Sequence, residues 1–89
     1  MEVSDTITDT TAVGPIKTGN SAIGVFLSGT WDSATVTLQK EVGGSFVAHP
    51  GGAWTDDAAV TVDCPGGGVF RLVGSSIGGS TSITAAITS

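Results

Sequence analysis

The feature that most constrains the fold is a two-residue alternation of apolar and polar side chains. In the segment ATVTLQ, residues 34–39, apolar side chains alternate with threonine and glutamine. Successive side chains of a β-strand point to opposite faces, so this spacing predicts a strand with one buried face. Apolar residues at the three- and four-residue spacing of an amphipathic helix are not found in the sequence. The chain is therefore predicted to be all-β.

The same alternation recurs in four further segments. The side chains that it predicts to face inward are Ile23, Val25 and Leu27; Ala34, Val36 and Leu38; Val60, Val62 and Cys64; Phe70 and Leu72; and Ile83, Ala85 and Ile87. The segment SAIGVFLSG, residues 21–29, is apolar on both faces, which is typical of a central strand. The opposite faces of most of these segments are rich in threonine and serine, which suit a solvated strand surface.

Turn residues separate these segments at short intervals. Gly43-Gly44 predicts a tight hairpin between TVTLQKEV and SFVAH. Further breaks are expected at residues 50–52, 56–57, 65–68 and 78–79, where proline, glycine and aspartate cluster. Six or seven short strands at this spacing predict a compact antiparallel β-sandwich or small barrel.

Residues 1–19 differ from the remainder, residues 20–89, which we take as the β-sandwich domain. Their alternation is weak and is carried by four apolar side chains, those of Val3, Ile7, Val13 and Ile16. One interpretation is an edge strand followed by a loop. The other is an arm that adds to the sheet of a neighbouring subunit through its free backbone groups. In the second case these four residues are candidate interface contacts.

Charge and cysteine content restrict the partners and the compartment. The 89 residues carry three basic and eight acidic side chains, a net charge of −5, which disfavours nucleic acid and anionic membrane surfaces as partners. The first residues form neither a basic nor a continuous apolar segment, so no signal peptide or membrane span is expected. Cys64 is the one cysteine, so it cannot form an internal disulfide, which fits folding in a reducing cytoplasm.

Residue clusters that support catalysis or metal binding are missing from the sequence. His49 is the one histidine, and it lies in a predicted turn without a Gly-x-Ser-x-Gly segment to accompany it. Asp56 and Asp57 are adjacent, so their spacing does not predict a separated acid and base. One cysteine and one histidine are too few for zinc. We therefore expect a protein that is not an enzyme and that needs no cofactor or metal.

The two tryptophans are the best candidates for ligand contact. Trp31 precedes a predicted strand, and Trp54 lies in a region rich in glycine and alanine. An exposed indole at either position would offer a face for a sugar ring. A tryptophan at a strand end also commonly completes a core or a subunit interface. Both interpretations stay open at the level of sequence.

The segment from residue 28 to residue 76 resembles small all-β modules of bacteriophage structural proteins. The matching positions are Gly29, Trp31, residues 34–39, Gly43-Gly44, Phe46, Pro65-Gly66 and Phe70-Arg71-Leu72. Modules of this kind occur in head decoration proteins, head fibres and tail components. The resemblance implies a β-sandwich with a structural role in a virion.

From this resemblance we expect a non-enzymatic virion protein, assembled in the host bacterial cytoplasm, that decorates and stabilises the capsid. The implied partners are the major capsid protein and further copies of the chain, as a homotrimer by analogy with the threefold positions of capsids. The alternatives are a tail or fibre component, and a carbohydrate-binding module that binds a surface glycan through Trp31 or Trp54.

Overall fold

The computed structural model describes residues 2–89, in which it contains eight β-strands and no helix. The strands are β1 (Glu2–Ile7), β2 (Val13–Thr18), β3 (Ala22–Thr30), β4 (Thr35–Val42), β5 (Ser45–Trp54), β6 (Ala58–Asp63), β7 (Gly68–Ser75) and β8 (Ser82–Thr88). The all-β prediction is confirmed, and the strands number eight rather than six or seven.

The strands form two antiparallel four-stranded sheets. One sheet has the order β1-β8-β3-β6 and the other has the order β2-β7-β4-β5. The first sheet contains the antiparallel pairs β1 with β8 and β3 with β6, and the second contains β2 with β7 and β4 with β5. A long ribbon of paired strands that folds over itself in this way is a jelly roll.

The closed end of this ribbon is the hairpin between β4 and β5. Gly43 and Gly44 have φ angles of 60° and 86°, and Val42 pairs with Ser45 on either side of them. Two successive residues with positive φ form the turn whose twist matches that of the flanking strands, and glycine adopts it without steric cost. The sequence prediction of a tight hairpin here is confirmed.

The core lies between the two sheets and is built from the inward sets of the alternating strands. Its fully buried large side chains include Ile23, Leu27, Ile83 and Ile87 from one sheet and Leu38, Phe70 and Leu72 from the other. Each of these residues was predicted to face inward. Val60 was predicted with them but is 39% exposed, because β6 is an edge strand and only one neighbour covers it.

Residues 2–18 contribute two strands, one to each sheet. A turn separates them, in which the Asp9 carboxylate accepts a hydrogen bond from the Thr11 amide at 2.8 Å. β1 and β2 both lie at sheet edges, where they pair with β8 and β7. Ile7, Val13 and Ile16 are 1–3% exposed and belong to the shared core. The sequence predicted one strand in this region, and the additional strand β2 brings the number of described strands to eight.

The break expected at residues 50–52 lies inside β5. Ala48 pairs with Gln39 and Ala53 pairs with Thr37, so residues 49–52 form an irregularity opposite a single residue of β4. β5 is an edge strand, and edges accommodate proline and extra residues because one row of backbone groups needs no partner. The turn residues therefore bend the strand rather than end it.

Candidate functional site

Trp31 lies at the corner between β3 and β4 and is held by the Asp57 side chain. Its indole Nε1 donates a hydrogen bond to Asp57 Oδ1 at 2.8 Å, and the Gly29 amide donates to the same oxygen at 3.1 Å. These two donors, that of Trp31 first, hold the pKa of Asp57 below its ordinary value of 3.8. The indole is 9% exposed and is part of the core.

The backbone of Trp31 is also tied to its neighbours. Its carbonyl oxygen accepts hydrogen bonds from the Ala34 amide at 2.9 Å and from the Thr81 hydroxyl at 3.0 Å. Asp32, in the turn that follows, accepts a hydrogen bond from the Ser80 amide at 2.9 Å. Because its ring is buried and its N–H is already bonded, Trp31 does not offer a face to a ligand in this conformation.

The other residues proposed from the sequence as contacts do not meet in one surface site. Trp54, at the end of β5, is half-buried and packs against the core, and Val3 does the same in β1. Ile7, Val13 and Ile16 are buried between the sheets.

The side chains that could take part in catalysis or metal binding lie apart from one another. His49 Nδ1 lies 2.9 Å from the carbonyl oxygen of Pro50, and its ring lies 6.1 Å from that of Phe70. The Cys64 thiol donates to the Asn20 carbonyl at 3.4 Å, and burial raises the pKa of this thiol. Within residues 2–89, no three histidine, cysteine or carboxylate side chains lie close enough together to hold a metal ion.

The surface with the most distinctive composition is the face of the β1-β8-β3-β6 sheet that points away from the core, which we call the outer face. Phe26 lies near its centre and is 49% exposed, while its chain neighbours Val25 and Leu27 point into the core. Pairing places Phe26 in one row with Ser4, Ala86 and Ala59. A large aromatic ring therefore stands between small side chains.

Small residues leave a hollow beside this ring. Gly24 is next to Phe26 on the same face, and the Thr88 hydroxyl oxygen lies 2.6 Å from the position that a Cβ on Gly24 would take. The hollow has a volume of about 400 Å³, and its lining includes Glu2, Ser4, Gly24, Phe26, Thr84 and Thr88. Ligand-binding pockets have volumes of roughly 300–1,000 Å³, so this hollow suits a small ligand.

The polar groups around the hollow are free to bind, and the charges nearby are acidic. The side chains of Glu2, Ser4, Thr84 and Thr88 make no hydrogen bond within residues 2–89. The three basic side chains of the sequence all belong to the other sheet, Lys17 in β2, Lys40 in β4 and Arg71 in β7.

A second exposed apolar surface is the tip of the β4–β5 hairpin. β4 pairs with β7 as far as Lys40, and beyond this residue β4 pairs with β5 alone. Val42 is 55% exposed and Val47 is 47% exposed. The register makes them diagonal neighbours on one side of the hairpin. On its other side the Arg71 guanidinium lies 4.0 Å from the centre of the Phe46 ring.

The comparisons with known proteins find no match for this chain among protein-family models, curated proteins or solved structures. Within residues 2–89, no helix is long and apolar enough to cross a membrane.

Sequence reasoning missed the Phe26 surface, although a signal for it is present. Phe26 is out of phase with the inward residues Ile23, Val25 and Leu27 of the same strand. A segment that is apolar on both faces predicts a central strand, and β3 does lie between β8 and β6 in its sheet. In a two-layer sandwich each sheet has one uncovered face, so the out-of-phase aromatic must be exposed. The fold class thus contained the information that Phe26 is a surface residue.

Proposed function

We propose that this protein is a non-enzymatic structural protein of a bacteriophage virion that binds to the capsid as a decoration protein. The observation that carries the proposal is the β4–β5 hairpin, which extends beyond β7 after Lys40 and exposes Val42 in this extension and Val47 at its base. The partners that we assign to it are the major capsid protein and further copies of the chain, arranged as a homotrimer.

The hairpin is suited to contact between proteins. Val42 and Val47 are exposed on one side of the hairpin, which they share with Lys40 and Ser45. The residues between Lys40 and Val47 pair only within the hairpin, so no third strand covers them. A stable interface buries about 800 Å² of each partner. Two valine side chains cannot supply this area, so the contact that we propose also includes the rest of the hairpin and the β5 edge.

Two further observations support a structural role. Jelly rolls are a recurrent architecture of viral coat proteins and of lectins, which is an argument by analogy of fold. The segment 28–76 also resembles phage structural modules, and two of its matching positions, Gly29 and Trp31, form the hydrogen-bonded corner with Asp57. These matching positions therefore help to stabilise the sandwich.

The proposal is tested on particles of the phage that encodes the chain, separated into heads, tails and complete virions on density gradients. Mass spectrometry of each fraction should find the chain in the heads and in complete virions, at a fixed ratio to the major capsid protein. A chain that is confined to the tail fraction would establish the tail or fibre alternative. A chain that never sediments with particles would overturn both.

A further inference from the structure

We propose that the hollow beside Phe26 on the outer face is a binding site for a neutral saccharide, in which a sugar ring packs against the Phe26 ring. This site is distinct from the hairpin surface to which the decoration role is assigned, and it differs from the two tryptophans considered from the sequence. It would give the protein a second activity, the binding of a surface glycan.

The first argument is the shape of the site. The exposed Phe26 ring is bordered by Gly24, Ala59 and Ala86, none of which has a side chain that could cover it. The hollow of about 400 Å³ beside the ring is at the lower end of the range for ligand pockets, which suits a short saccharide. The C–H groups of a pyranose ring form a flat apolar surface that can lie against such an aromatic ring.

The second argument is the polar rim. Thr84, Thr88 and Ser4 present hydroxyl groups that can both donate and accept hydrogen bonds, and Glu2 presents a carboxylate that can accept two. None of these side chains has a hydrogen-bond partner within residues 2–89. An apolar floor with a few convergent polar groups is the composition that fixes the orientation of a polyhydroxylated ligand.

The third argument is charge, which selects neutral sugars. Among the described strands of this sheet there is no lysine or arginine, whereas Glu2 and Asp63 both lie on the outer face. Sialylated, sulfated or phosphorylated sugars would meet acidic groups without a cation to pair with them. A cage of several aromatic rings, as used for quaternary ammonium groups, is also missing from the described part of this face.

A second copy of the chain is the main rival occupant, and the composition of the face argues against it. The centre of a subunit interface is enriched in large apolar and aromatic side chains. In the described lining of the hollow, Phe26 and the partly exposed Val60 are the exposed large apolar residues, and serine, threonine, alanine and glycine surround them. One ring among hydroxyl groups suits a sugar better than a flat subunit contact.

The test is an NMR titration of the purified chain with neutral oligosaccharides of glucose, galactose, mannose and N-acetylglucosamine. We expect at least one of them to shift the amide resonances of residues 24–28 and 84–88 in a saturable way. Phe26→Ala should weaken this binding roughly tenfold or more, and Phe26→Trp should retain it. Phe46→Ala, which removes the aromatic ring on the other sheet, is the matched control and should bind as the wild type does.

Three outcomes would overturn the proposal. The first is that no oligosaccharide of the panel shifts these resonances, although the wild-type chain is folded. The second is that sialylated or phosphorylated sugars, titrated in parallel, bind more tightly than the neutral oligosaccharides. The third is that the same resonances shift with protein concentration alone and that Phe26→Ala abolishes this, which would assign the face to contact between copies. The titration uses no phage particles, so its result is independent of the decoration proposal.

Discussion

Trp31 Nε1 lies 2.8 Å from Asp57 Oδ1, and this hydrogen bond joins two corners of the jelly roll that are 26 residues apart in sequence. Trp31 is at the corner between β3 and β4, and Asp57 is in the connection from β5 to β6. Thr81, which precedes β8, donates to the Trp31 carbonyl at 3.0 Å. Three loops at this end of the sandwich are therefore fixed through one tryptophan.

The Trp31–Asp57 contact predicts a coupled loss of stability. Trp31→Phe keeps most of the buried ring but removes its donor, and Asp57→Ala removes the acceptor, so each should lower the thermal midpoint. The double variant should lose less than the sum of the two, because both single changes break the same bond. Thermal unfolding of the four proteins checks this. Asp63→Ala is the control, since Asp63 lies at the opposite end of β6 from Asp57. Strict additivity of the two single changes would contradict the account.

Acid should weaken the fold through the same carboxylate. The pKa of Asp57 is lowered in the folded chain from its ordinary 3.8, so its stabilising effect is present above that value. It is lost as the pH falls through the folded pKa, because the protonated carboxyl no longer accepts both hydrogen bonds as a charged group. The midpoints of wild type and Asp57→Asn should therefore converge as the pH falls below 3.8. A difference that does not change with pH would contradict this.

The first two strands should be essential for folding. Ile7 in β1 and Ile16 in β2 are each 1% exposed, so Ile→Ala at either position should cost about 2–5 kcal/mol of unfolding free energy. Urea denaturation measures this, with exposed Thr6→Ala as the control in β1. An Ile16→Ala protein as stable as Thr6→Ala would show that β2 does not pack as described.

Gly29 should not tolerate a side chain. It has a φ of 149°, and a Cβ there would overlap the carbonyl oxygen of Ser82 on β8. Gly29→Ala should cost about 1–3 kcal/mol, because either the backbone or the β3–β8 pairing must shift. Gly19→Ala is the matched control, since nothing lies within 4 Å of its Cβ position. Urea denaturation of the two variants should separate them clearly, and equal stability would contradict the described pairing.

The sequence predicts which side chains of a strand are buried better than it predicts which strands and loops lie next to each other. Alternation identified Leu38 and Ile83 as buried because the two-residue period depends on local backbone geometry alone. It placed Val60 inside as well, since the alternation within β6 does not show that this strand lies at a sheet edge. The exposure of Phe26 follows from its spacing once the sheet is known to have an uncovered face. The pairing of Trp31 with Asp57 depends on which loops become neighbours, and residue spacing does not encode this.

The measurement that tests the central claim most directly is the binding of labelled, purified chain to phage heads assembled without it. We expect saturable binding to the heads, at a copy number that matches the symmetry of the shell. Val42→Asp combined with Val47→Asp should abolish it, because two carboxylates would replace the apolar surface of the hairpin tip, while Phe26→Ala should bind normally. Heads that do not bind the wild-type chain, or that bind the hairpin variant equally well, would contradict the account.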